Sequence, residues 1–375
     1  MSEEKTIGLV VAPGVTEKLA QSLIDDIPNI LSEQDNHQRD WKVDLVVDPL
    51  TGFAESVEEI FKKIQDYHNK REWDYVVGIT DLPMFYHQNV LALDINKKNG
   101  AAIFSYPAFG WRPVKNRFKH AIVTIINELH YSERAHIGYD DNNRVKKEIN
   151  KQFPFSRIEK TEVHLKETGN NHLRYLSNSR SLGMIRLVSG MTFANNPLNM
   201  MASLSNIVAI AFTTGAFGLI FSTMWNMGLD FSVWRLFGIS IMAILGMLVW
   251  IMVSHGLWES TKEAKHKRIV MLYNLTTIMT LFIAIVIYYM ILYSLFLIAE
   301  LVLLPPGFLG QQVGLKGPAS VQLYLSIPWF ATSISTVAGA IGAGLLNDQL
   351  IKESTYGYRQ NCLLYTSPSP RDGLL

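Results

Sequence analysis

Cysteine is nearly absent: the 375 residues hold one, Cys362. A single thiol cannot close a disulfide within the chain or build a cysteine-rich metal site. An excess of one charge is missing too. Lysine plus arginine number 34 against 33 aspartates plus glutamates, a formal net charge of +1. No bulk charge draws the chain to nucleic acid, and no nucleic-acid partner is expected. The common fingerprints are also missing. No G-x-G-x-x-G, no G-x-x-x-x-G-K-[ST] and no H-E-x-x-H occurs, so no nucleotide cofactor and no metal is expected from motifs. The start, "MSEEKTIGLVV", has acidic residues and only a short apolar run where a secretory leader has basic residues and a longer one. Residues 1–200 are therefore expected in the cytoplasm.

Apolar sequence is what the chain has in quantity, and it is unevenly spread. Mean hydropathy is +0.12, yet residues 204–346 hold long apolar runs with few charges. A hydrocarbon core about 30 Å thick takes about 20 helical residues. Ser205–Met227, Val233–Ser254, Ile269–Leu304 and Ser326–Leu346 meet that length, so a four-helix transmembrane bundle in the lipid bilayer is expected. Ile269–Leu304 is overlong and fits one tilted helix or two around a tight turn; with no Gly, Pro or Asn in its middle, one is favoured. Lys262, Lys265, Lys267 and Arg268 lie between the second and third segments, Arg180 and Arg186 precede the first, and Lys352 and Arg359 follow the fourth. The opposite loops carry chiefly Lys316, with Arg235 near an interface. The positive-inside rule then places both termini on the cytoplasmic side of an inner or plasma membrane.

Small residues recur at Ala211, Gly215 and Gly218, and at Ala338, Gly339, Ala340, Gly342 and Gly344. That spacing predicts close helix packing. Glu300 is the one acidic residue inside an apolar run, which makes it a candidate intramembrane site. Pro305 and Pro306 follow closely, so an interfacial position is expected for it.

The first half alternates strand and helix. "TIGLVVAP", "WKVDLVVDPL" and "DYVVGITDLPMF" read as strands, and "VLALDINKKNGAAIFSYP" as a hairpin about Asn99-Gly100. "GVTEKLAQSLIDDIPNILSEQ", with a start signal at Thr16, "ESVEEIFKKIQDYHNKREW" and "PVKNRFKHAIVTIINELHYSERAHI" read as helices. An α/β domain with a largely parallel sheet and one antiparallel hairpin is expected. Residues 133–178 predict a short helix and a strand pair. "SRSLGMIRLVSGMTFANN" predicts an amphipathic helix at the membrane surface, where Arg180 and Arg186 would meet anionic headgroups. The expected organisation is a domain over 1–178, a juxtamembrane linker over 179–203, a membrane domain over 204–346 and a tail over 347–361.

Ligands of open α/β sheets bind beyond the carboxyl ends of the strands. Those ends bring Asp48, Thr51, Thr80 and Asp81 towards one rim. Two carboxylates and two hydroxyls suit a cation or a hydroxylated ligand, and the same residue types also cap turns. A small ligand or a protein partner of this domain is therefore expected, with an enzyme using Asp48 and Asp81 as acid/base or metal groups, or a transport subunit, as the alternatives. His120, beside Arg117 and Lys119, reads as part of a solvated basic helix face.

Three strands, an edge hairpin and a long helix over residues 5–135 resemble the layout of the metzincin proteases. That family carries H-E-x-x-H-x-x-G-x-x-H. His130 and His136 have the spacing of its second and third ligands, but Ile126, Asn127 and Glu133 stand where the first histidine, the glutamate and the glycine belong. The resemblance implies a scaffold without the catalytic set. Across residues 7–360 the chain is also similar to a family of uncharacterised Gram-positive bacterial multi-pass membrane proteins, through "GLVVAPGVTEKLA", "DPLTG", "ITDLP", "SYPAFG", "SGMTFANNP", "MVSHGLWE", "LYNLTT", "LLPPG" and "YGYRQ". Members are sometimes labelled methylene-tetrahydrofolate dehydrogenase, whose G-R-S-x-x-V-G-x-P loop and Y-x-x-x-K motif do not occur here. The resemblance implies architecture and localisation and supplies no catalytic residue. Residues 362–372, "CLLYTSPSPRD", resemble a translated sequencing adapter; on that reading 362–375 is a non-native tail and the protein proper lacks a thiol nucleophile.

Overall fold

The computed structural model describes residues 3–35, 37–48, 57–111, 113–132, 139–153, 157–165, 170–260, 267–343, 351–352 and 355. The chain passes from one compact unit to a second between Ala194 and Asn195.

The first unit is a sheet covered by helices. In chain order its elements are β1 (Glu3–Val11), α1 (Val15–Gln21), α2 (Asp26–Gln34), β2 (Arg39–Val47), α3 (Val57–Arg71), β3 (Tyr75–Thr80), β4 (Phe85–Tyr86), β5 (Asn89–Asn96), β6 (Ala101–Ser105), α4 (Val114–Ser132), α5 (Tyr139–Lys151), β7 (Ile158–Leu165), β8 (Asn170–Ser177) and α6 (Arg180–Ala194). A 3-10 turn, Tyr106–Phe109, separates β6 from α4. The strands run in the order β2-β1-β3-β6-β5-β8-β7, with β4 paired to β5. β2, β1, β3 and β6 are parallel, whereas β5, β8 and β7 join antiparallel.

The sheet is therefore mixed rather than largely parallel. The hairpin predicted about Asn99-Gly100 forms, but it is not at an edge, because β8 pairs along the far side of β5. That placement departs from the protease layout. The polar segment 133–178 supplies the extra strands, and its alternation was visible only as a loose strand pair.

Patterning explains the layers. β3, "YVVGIT", is buried at every position, as expected of a strand covered on both faces. Val76 and Gly78 face Ile60 and Ile64 of α3, one helical turn apart. Tyr75, one residue over, faces α4, where its hydroxyl meets Nδ1 of His130 at 2.8 Å. α2 lies on the α4 side, joined to it by Lys119–Asp26 and Asn127–Gln34 contacts of 3.1 and 2.6 Å. α3 has Glu58 and Glu59 in its first turn and His68, Lys70 and Arg71 in its last, complementing the helix dipole.

The single helix expected across residues 14–34 is two, α1 and α2, parted by a turn at 22–25. Gly14, not Thr16, caps the first. Thr16 lies inside the helix, and its hydroxyl donates back to the Ala12 carbonyl.

α6 is packed onto this unit. Gly190 lies so close to the Pro107 carbonyl that a Cβ would stand 2.0 Å from its oxygen. Arg186 is buried, its guanidinium 4.9 Å from the Phe153 ring centroid. Burial, and to a lesser degree the neighbouring Arg117 charge, lowers its pKa to about 10. Arg186 therefore cannot reach lipid headgroups from this position, while Arg180 stays exposed and donates to Gln88. The outer face of α6 carries Leu182, Ile185 and Phe193, all exposed, with exposed Trp111 stacked on Phe193.

The second unit is helical: α7 (Pro197–Ser203), α8 (Ser205–Leu219), α9 (Ser222–Asp230), α10 (Val233–Ser254), α11 (Lys267–Leu303), α12 (Pro306–Gln312) and α13 (Val321–Ala343). α10, α11 and α13 are each long and apolar enough to cross a membrane. The first expected span, Ser205–Met227, is bent: α8 and α9 meet at 89° and make a fourth crossing only if taken together. Trp225 stabilises the bend, its indole N–H donating to the Leu219 carbonyl at 2.7 Å. The overlong third segment is one continuous helix of 37 residues, α11, about 55 Å long at 1.5 Å per residue.

Polar side chains tie the long helices together. Ser240 of α10, Tyr289 of α11 and Ser333 of α13 exchange hydroxyl contacts of 2.7–3.2 Å, and Trp329 donates to Ser240 at 2.6 Å. Such contacts hold apolar helices in register where no hydrophobic force drives them together. The chain is an integral membrane protein with a separate α/β domain.

Candidate functional site

α1 and α2 cover one face of the sheet and α3 the other, so the chain reverses direction across the sheet between β1 and β3. Open sheets bind ligands at such a reversal, beyond the carboxyl ends of the strands. The loop after β1 turns at Gly14, where φ is +93° and a Cβ would meet nothing within 4 Å. Only glycine adopts that backbone readily, and it leaves the turn open. The Gly14 N–H is met loosely by Glu17 at 3.4 Å.

Register places Val47 and Ile79 beside Val11 on either side. Asp48 and Thr80 therefore flank Ala12, about 10 Å apart across two strand spacings. Asp48 follows β2 and Asp81 follows β3. Both aspartates and Thr80 are buried.

The four expected rim residues have different fates. Asp48 is engaged from α3: the Tyr67 hydroxyl donates to it at 2.6 Å and Lys63 stands 3.7 Å away. Burial first, and then the Asp48 carboxylate, push the Tyr67 pKa up to about 12. Thr80 accepts from the Leu82 N–H at 3.1 Å, which is a turn-forming role. Asp81, just after β3, is a buried carboxylate at the β1–β3 reversal. Thr51 lies outside the described residues.

A second carboxylate network was not foreseen. Asp94 of β5 is fully buried, with His172 Nδ1 at 3.0 Å and Arg174 Nε at 2.9 Å on β8. Asn96 contacts the other ring nitrogen of His172 at 3.3 Å. Arg174 also reaches Glu58 at 3.6 Å and covers the Tyr86 ring. With both imidazole nitrogens engaged, this is a neutralised core network rather than a poised base. Part of the signal was present: "DIN" puts two polar residues two apart at the end of a strand that is otherwise largely apolar, and "HLR" repeats that spacing on β8. On the opposite face Glu128 takes Lys160 and Lys97 at 3.0 Å each and the Tyr175 hydroxyl at 3.2 Å. Burial alone would raise the Glu128 pKa, but the two lysines outweigh it and hold it below the usual glutamate value.

His130 is buried against Tyr75, and its expected partner His136 lies outside the described residues. Among the described residues no three His, Cys, Asp or Glu side chains assemble into a metal-binding group. His120 is exposed and bonded to the Asn116 carbonyl, as a solvated helix face requires.

Glu300 was expected near an interface. It lies three residues before the end of α11, and its side chain is fully buried in the bundle, where neither carboxylate oxygen has a hydrogen-bond partner among the described residues. The prolines that follow do end α11, but one turn beyond Glu300 on the helix, so they do not bring its side chain to the surface.

No family model, no curated protein and no solved structure matches this chain.

Proposed function

We propose that the α/β domain senses a small polar ligand at the reversal between β1 and β3 and passes the binding event to the membrane helices. One observation carries this reading: the candidate rim and the helix leading to the membrane region share one end of the sheet. The Leu82 carbonyl, next to Asp81, accepts from Ser105 Oγ at 2.9 Å. Ser105 starts the 3-10 turn, whose Pro107 carbonyl lies against Gly190 of α6. α6 ends at Ala194, where the second unit begins. A shift of the Asp81 loop on ligand closure thus has a short packed route to α6. The exposed ridge of Leu182, Ile185 and Phe193 with Trp111 supports a seat for α6 on the bilayer surface. The domain is read as cytoplasmic from the lysines and arginines flanking the spans.

The enzyme alternative is less well supported, because Asp48 is committed to Tyr67 and Lys63. Thermal unfolding of the full chain in lipid nanodiscs, against metal ions, nucleotides, folates and sugar phosphates, tests the proposal. A specific ligand at about 100 times its dissociation constant adds about 2.7 kcal/mol. The transition of the sheet domain should then rise by roughly 5–10 °C. The rise should vanish in the double variant Asp48→Asn, Asp81→Asn. A rise that persists in that variant places the ligand elsewhere.

A further inference from the structure

Among the described residues of the bundle, Glu300 is an acidic side chain with neither oxygen partnered. It is 0% exposed. A structural role does not explain it, since a leucine would fill the volume without stranding two acceptors.

Beside the end of α11 stands Tyr324 of α13. The Tyr324 hydroxyl is already spent on the Leu304 carbonyl. α8, α12 and α13 contain no Lys, Arg, His, Asp or Glu. α9 has only its terminal Asp230, and α10 only Arg235, whose guanidinium lies over the Phe231 ring. On α11 the remaining charged residues are Lys267 and Arg268, about nine turns away at the other end.

Two backbone features fall at the same height. Pro328 of α13 has no N–H, so the Tyr324 carbonyl one turn earlier loses its helical donor. α8 meets α11 where Gly215 faces the Phe296 ring. One turn further along each helix stand Leu219, the last residue before the α8–α9 break, and Glu300. The α8–α9 break and the proline inside α13, with the one lysine of the α12–α13 loop, Lys316, exposed, give a buried carboxylate the kind of setting in which membrane proteins hold small cations.

We propose that Glu300 is a cation-binding group of the bundle, taking a proton or an alkali-metal ion that exchanges with water. This is independent of any ligand of the sheet domain. The site needs no large cavity, because the ligand replaces a missing hydrogen-bond partner rather than filling a pocket.

The test is modification of the full chain in lipid nanodiscs by dicyclohexylcarbodiimide, which attacks protonated carboxyls in apolar sites, mapped by mass spectrometry. The reagent is applied from acidic to alkaline buffer, in choline, sodium or potassium chloride. Label on Glu300 that is lost as pH rises, alike in all three salts, identifies a proton site. Label that sodium or potassium suppresses relative to choline identifies an alkali-ion site. No label on Glu300 at any pH, or label indifferent to pH and salt, overturns the proposal. The unfolding midpoint gives a second readout. A proton held in the folded state makes the midpoint fall as pH rises, and a bound ion makes it rise with that salt over choline. Glu300→Gln should remove either dependence while keeping the fold. A Gln variant with the wild-type dependence also overturns the proposal.

Discussion

Tyr67 and Asp48 show how a rim residue is held in place. The hydroxyl donates to a buried carboxylate at 2.6 Å, a charge-assisted bond worth about 1.5–3 kcal/mol when lost. Tyr67 is itself half-exposed, so Tyr67→Phe should cost nearer 1.5 kcal/mol by urea unfolding. Its folded pKa is raised to about 12, from an ordinary value of 10. The stabilisation is therefore complete below pH 10 and is lost as pH rises through 12, and the phenylalanine variant should lack that part of the alkaline slope. Glu128 works in the opposite direction. Its lowered pKa adds stability that is present above the ordinary glutamate value and is lost as pH falls through the folded one. Glu128→Gln should cost about 3 kcal/mol near neutral pH, where two lysines lose their partner, and should flatten the acid limb. A variant whose acid limb is unchanged would mean that Lys97 and Lys160 are satisfied without Glu128.

The approach of α8 to α13 depends on Gly215 and Gly339. A Cβ at Gly215 would stand 1.9 Å from Ser335 Oγ and 2.4 Å from the Phe296 ring. One at Gly339 would stand 2.5 Å from the Tyr288 hydroxyl. Gly215→Leu or Gly339→Val should push α8 from α13 and lower the unfolding free energy by an amount typical of overpacking, about 1–3 kcal/mol or more. Gly238→Ala and Gly246→Ala on α10, where nothing lies within 4 Å, should be neutral within about 0.5 kcal/mol. Equal effects at all four positions would show that the close approach of α8 and α13 does not matter. These contacts also mark what the sequence makes legible. The small-residue spacing announced close packing, and Val233–Ser254 was readable to the residue because a long apolar run flanked by Ser and His has only one fit. The break after Leu219 was not readable. No proline or charge announces it, and it is fixed by Trp225 reaching back to a carbonyl. The interior place of the hairpin escaped for a similar reason, since it depends on β8 arriving from a polar stretch about 80 residues away. Of the candidate site, the strand-end position of Asp48, Thr80 and Asp81 was legible from apolar runs that end in turn residues. Their partners were not, because Tyr67 and Lys63 sit on a helix whose facing side only the fold decides.

On the scale of the molecule, an α/β domain and a membrane bundle are joined through one helix, α6, that is packed onto the domain. A sensor built this way must transmit through α6, whereas a domain that merely shares the chain need not. Hydrogen–deuterium exchange of the full chain in lipid nanodiscs separates the two directly. It compares the protein alone with the protein bound to whichever compound raises the unfolding midpoint. The sensing account predicts slower exchange at Thr80–Leu82, at the Tyr106–Phe109 turn and along α6, and altered exchange at the start of α8. No protecting compound in the panel, or protection confined to the crevice with α6 and α8 unchanged, would contradict it.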